Sequence, residues 1–70
     1  MSSRMTTAQH LRQGERVHRA MRWWEVLSLG ERTDDGRIRL NLQDVRDGEP
    51  RSILIRTDAA MRAYAPKESA

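Results

Sequence analysis

The sequence predicts an all-β domain, a small antiparallel barrel of short strands, and three observations carry that reading. Turn-forming residues recur at Gly14, Gly30, Asp34-Asp35-Gly36, Asp47-Gly48-Glu49-Pro50 and Thr57-Asp58, at spacings that suit short strands and leave little room for helices. Ile38, Leu40 and Leu42 alternate with Arg37, Arg39, Asn41 and Gln43, which gives one strand an apolar and a polar face. Val17, Trp23, Trp24 and Val26 are of types that favour strands.

The elements follow in order. Residues 1–7 are polar and read as a flexible tail, residues 8–64 as the folded unit, and residues 65–70, which lack periodicity and contain Pro66, as a second flexible tail. After the Gly14 turn, Arg16 to Arg19 forms a first strand, Ala20-Met21 turns, and Arg22 to Leu29 forms a second. A loop from Gly30 to Gly36 leads to the alternating strand at Arg37. The Asp47-Gly48 pair supplies hairpin geometry before a strand from Ser52 to Arg56, in which Ile53 and Ile55 face one way and Leu54 and Arg56 the other. Thr57 to Ala60 fits one tight helical turn before a closing strand from Met61 to Tyr64. Five strands with a one-turn helix before the last is the plan of a small SH3-like barrel.

A competing reading places one helix of about 20 residues over Ala8 to Leu29, capped by Thr7, because Leu11, Val17, Met21, Trp24 and Leu27 also recur at near-helical spacing. It would gather Arg12, Arg16, Arg19 and Arg22 into a basic stripe and make major-groove DNA binding conceivable. Gly14 inside such a helix costs roughly 1 kcal/mol relative to alanine, and the β-branched and aromatic residues oppose it. The two-strand reading is preferred.

Composition bounds the function. The chain has 70 residues, enough for one domain and one small core. It has no cysteine, so packing or self-association must supply what disulfides or thiolate-bound metal would. No apolar run approaches the roughly 20 residues of a membrane span, and the N-terminus lacks a signal-like apolar segment; a soluble, cytoplasmic protein without membrane partners is the expectation. Twelve of the 13 basic residues are arginine, and the net charge is +3. A GC-rich genome explains such usage. Guanidinium groups also suit phosphate and stack on bases, and the charge attracts nucleic acid weakly in any case.

Leu11-Arg12-Gln13-Gly14-Glu15-Arg16-Val17, then Arg22-Trp23-Trp24-Glu25-Val26, then Gly36-Arg37-Ile38-Arg39-Leu40-Asn41-Leu42, then the Asp47-Gly48-Glu49 turn before Ile53-Leu54-Ile55, resembles the N-terminal KOW-like domain of elongation factor P. The resemblance covers about residues 8–64 and implies an SH3-like barrel. The loop that carries a basic tip in that family is here Gly30-Glu31-Arg32-Thr33-Asp34-Asp35-Gly36, with no lysine to modify. It therefore implies the skeleton and argues against the translational activity.

Adjacent strand residues face opposite sides, so one tryptophan, Trp24 in phase with Val26, should fill the core and Trp23 should lie outside. Arg22, Arg37, Arg39 and Arg56 would lie on outward strand faces and, with Trp23, form a basic platform that tracks a phosphate backbone. The bland counterpart is that both tryptophans are packed and the arginines pair with Glu25, Asp44 and Glu49. His10 and His18 are isolated, so no metal or other cofactor is expected. No nucleophile turn or paired carboxylate supports catalysis. The expected function is a non-enzymatic nucleic-acid-binding module, for RNA or DNA, using Arg22, Trp23, Arg37, Arg39 and Arg56. The alternative is a protein-interaction module or homodimer that uses exposed Trp23, Leu27, Leu29 and Leu54.

Overall fold

A computed structural model describes residues 3–65. Six antiparallel strands form one sheet: β1 (Ser3–Thr7), β2 (Arg16–Arg19), β3 (Arg22–Arg32), β4 (Arg37–Asp44), β5 (Pro50–Arg56) and β6 (Ala60–Tyr64). Their order across the sheet is β1-β6-β2-β3-β4-β5. The all-β expectation and the β2–β3, β3–β4 and β4–β5 hairpins therefore hold. Three details are corrected. There are six strands rather than five, the sheet is not closed into a barrel, and the one helical turn among the described residues is a 3-10 turn at Ala8–His10. The segment before the last strand is instead a hydrogen-bonded turn, with Ala59 N–H donating to the Arg56 carbonyl at 3.1 Å.

The sixth strand comes from the predicted tail. Residues 3–7 pair with β6 in register from Ser3↔Tyr64 to Thr7↔Ala60. A charged fork holds them there: Arg4 Nε and Nη2 donate to Glu15 Oε2 and Oε1 at 3.0 and 2.9 Å. Of the counterpart tail, residues 65–70, all but Ala65 lie outside the described residues. The long helix over Ala8 to Leu29 does not form, and the stripe of arginines it would have made dissolves with it.

Local chemistry explains the hairpins. Gly14 has φ +90°, and its N–H donates to the Val26 carbonyl at 2.8 Å; glycine enters that left-handed region without the Cβ penalty. The two-residue β2–β3 turn forces Ala20 and Met21 to φ +54° and +62°, the geometry of a turn that ordinarily selects asparagine and glycine. Gly30 lies within β3, not in a turn. A Cβ there would meet Arg39 Cβ at 3.0 Å, so glycine lets β3 and β4 pass.

Alternation then builds the core. Ile38, Leu40 and Leu42 of β4 are buried with Val17, Val26 and Ala63, and Ile53, Ile55 and Trp24 pack against them. Trp24 donates its indole N–H to the Arg19 carbonyl at 3.0 Å, which satisfies its one polar atom. A register shift between Val26 and Ser28 leaves Leu27 as an extra residue. This turns Ser28 outward and swings Leu29 into contact with the core. The expectation of an exposed Leu29 is thereby corrected.

Candidate nucleic-acid interface

The outward face of β4 and β5 is polar by the same period of two that makes their inner face apolar. Its register sets Arg37 opposite Arg56, Arg39 opposite Leu54 and Asn41 opposite Ser52. Directly opposed residues lie about 5 Å apart at Cβ, so Arg37, Arg39 and Arg56 share one patch at the end of the sheet. Arg39 Nη1 donates to Ser52 Oγ at 3.1 Å. Asn41 bridges Ser28 and Ser52, donating to the first at 2.9 Å and accepting from the second at 3.2 Å. The result is a ladder of donors and acceptors bordered by guanidinium groups.

Acidic neighbours flank this patch. Arg37 Nε lies 3.5 Å from Asp35 Oδ2, and Arg56 forks onto Asp58 at 3.2 and 3.3 Å. Thr33 Oγ1 donates to Asp35 Oδ1 and fixes that loop. All four charged side chains are more than half exposed, and ion pairs of this kind contribute at most about 1 kcal/mol. A phosphate can displace either carboxylate at little cost. Arg39 has no carboxylate partner among the described residues.

The structure separates the other two predicted residues from this patch. Arg22 does not face outward with the others. It reaches the buried Asp44 at 2.9 Å and lies 3.9 Å from Asp47. Trp23 is on the outward face and 40% exposed, but its ring stands edge-on to Tyr64 with centroids 4.9 Å apart and tilts against His18 at 5.0 Å. Trp23 and Gly30, which abuts Arg39, are about 23 Å apart along β3 at ~3.3 Å per residue. The five residues do not form one platform.

Sequence reasoning missed the clasp of Arg4 with Glu15; that of Arg22 with Asp44 it held only within the bland counterpart, as an exposed pairing, and missed the burial of the carboxylate. The Arg4 fork, with the Arg12 backbone N–H at 2.8 Å, holds the Glu15 carboxyl below its ordinary value against the opposing pull of burial, and Glu15 in turn raises Arg4. The backbone N–H of Arg46, at 2.8 Å, does most to hold the Asp44 carboxyl below its ordinary value, and Arg22 adds to it. The sequence signal for that burial is the place of Asp44 in phase with the inward Ile38, Leu40 and Leu42 of an alternating strand. Among the described residues no group of three or more His, Asp or Glu side chains converges to hold a metal ion, and no helix is long and apolar enough to cross a membrane.

No protein-family model matches the chain, and comparison with curated proteins finds no relative.

Proposed function

We propose that this domain is a non-enzymatic nucleic-acid-binding module that contacts backbone phosphates through Arg37, Arg39 and Arg56. The observation that carries the reading is the β4–β5 register, which collects three exposed guanidinium groups on one outward face beside a ladder of serine and asparagine. Arg22 is committed to Asp44 and stays out of the interface. Trp23 would stack on a base only of a strand long enough to follow β3. The order β6-β2-β3-β4-β5 supports reading this part of the sheet as an unclosed SH3-like meander, consistent in skeleton with the KOW-like resemblance.

The test is fluorescence anisotropy of labelled single-stranded RNA and DNA over a series of salt concentrations. Three phosphate contacts on a single strand give a log–log slope of about −2. Absent binding, or binding indifferent to salt, overturns the proposal.

A second reading rests on a different observation. Leu54 is 44% exposed on β5, the strand at one end of the sheet, and such edges pair with other chains unless guarded. Sedimentation across a range of concentrations tests this, and a monomer throughout rules out self-association.

A further inference from the structure

Because the sheet is not closed, its inner, apolar face is covered unevenly. The 3-10 turn and the residue after it cover part of that face, where Ala8 and Leu11 are buried. Elsewhere β6 is paired to β1 over five residues but to β2 only through Arg16↔Tyr64. Where β2 and β6 part there is a cleft of about 380 Å³, within the size range of small-molecule sites. Its floor is the apolar interior: Leu42, Ile53, Ile55 and Met61 line it.

The mouth has a different character. His18, Arg19 and Arg62 line the cleft and are exposed, and no aspartate or glutamate is among its lining residues. Arg62 donates to Ser3 Oγ at 3.0 Å, and neither arginine is within ion-pair distance of a carboxylate among the described residues. Arg4, Arg16, Arg22, Arg37 and Arg56 have an acidic neighbour, whereas Arg12, Arg32, Arg39, Arg46 and Arg51 share with Arg19 and Arg62 the lack of one within ion-pair distance among the described residues. An apolar floor repels sugars and free ions, which would lose hydration without replacement. A cationic rim with no acid favours an anion and disfavours a cation.

We propose that the cleft binds a single-chain carboxylate amphiphile, with its hydrocarbon on Ile53, Ile55 and Met61 and its carboxylate at the mouth beside Arg19 and Arg62. Carboxylate is the headgroup that the planar guanidinium fork matches in two parallel hydrogen bonds. The site is remote in role from the arginine face on β4 and β5, because it opens from the opposite side of the same strands.

Calorimetric titration with dodecanoate and with dodecyltrimethylammonium, each below its micelle concentration, compares two probes of equal chain length and opposite charge. The expected result is saturable one-to-one binding of dodecanoate at least tenfold tighter than of the cation. The Arg19→Gln/Arg62→Gln double variant, altered only at exposed positions, should lose at least tenfold in dodecanoate affinity while oligonucleotide binding stays within twofold. Ala59→Leu, which fills the cleft from its wall, should abolish binding of both probes. Equal affinity for the two amphiphiles, non-saturable uptake, or dodecanoate binding unchanged in the double variant overturns the proposal, and the comparison in the unaltered protein decides the matter should Ala59→Leu fail to fold.

Discussion

Arg4 and Arg22 carry the same guanidinium as Arg37, Arg39 and Arg56, yet the two groups do opposite work. The first pair reach carboxylates that the fold has removed from water: Glu15 is 7% and Asp44 1% exposed. The first clasp joins β1 to the Gly14 turn, which no hairpin unites, and the second fastens the open end of the β3–β4 hairpin, from the start of β3 to the end of β4. The arginines on β4 and β5 meet only exposed acids or a serine hydroxyl. Burial of the partner, not the residue type, separates structural from available charge. A buried carboxylate stripped of its partner is strongly destabilising, whereas an exposed pair exchanges one anion for another.

The most severe test of that contrast is Asp44→Ala. It removes the acceptor for Arg22 and for the Arg46 backbone N–H together. Its thermal midpoint should fall furthest of all the variants considered, while oligonucleotide affinity of the folded fraction is unchanged. A midpoint within error of the parent would show that the clasp holds nothing.

Arg4→Gln and Arg39→Gln form the next test, a matched pair. Arg4→Gln should lower the thermal midpoint and leave binding intact. Arg39→Gln should leave the midpoint intact, weaken oligonucleotide binding several-fold and reduce the magnitude of the salt slope by about 0.7. Similar behaviour of the two variants would erase the distinction between clasp and face.

Acid should act on the clasps alone. Glu15 and Asp44 both have carboxyls held below their ordinary values in the fold, so the unfolded chain binds more protons than the native one as pH falls. Their contribution is complete above the ordinary carboxylate range, about pH 4 to 5, and is lost as pH drops through the depressed native values. Urea denaturation across that range should show falling stability, with a shallower acid limb in Glu15→Gln and the parental limb in Arg39→Gln.

The smallest effect belongs to the β2–β3 turn. Met21, at φ +62° and 92% exposed, has left-handed backbone that costs a non-glycine residue about 1 kcal/mol. Met21→Gly should raise stability by up to that amount in the same denaturation experiment, offset by the greater freedom of glycine in the unfolded chain. No change would mean that the strain relieved is no larger than that offset.

Much of this was legible in the sequence and some of it was not, for reasons that differ by element. Alternation over Arg37 to Gln43 and over Ser52 to Arg56 placed β4 and β5 and sorted their faces correctly, because the period of a strand is written locally. The same period brought Arg37, Arg39 and Arg56 to one side, and it assigned Trp24 inward and Trp23 outward. It failed where a bulge interrupted it: Leu29 turned inward because Leu27 is an extra residue, a matter of pairing with β4 that β3 alone does not encode. At Arg22 the period itself was right and the outward assignment departed from it: Arg22 is in phase with the inward Trp24 and Val26, and it reaches a buried carboxylate on another strand.

What the sequence determined by itself is therefore an all-β chain with its hairpins and the inner and outer faces of its regular strands, since turn chemistry and side-chain alternation act over a few neighbouring residues. Only the tertiary structure decided that Ser3–Thr7 is a sixth strand, that the sheet stays open beside β6, and which arginines are spent on clasps. Those outcomes depend on contacts such as Arg4 with Glu15 and Arg22 with Asp44, whose strength comes from the burial of the carboxylate, and burial exists only once the distant parts of the chain have met.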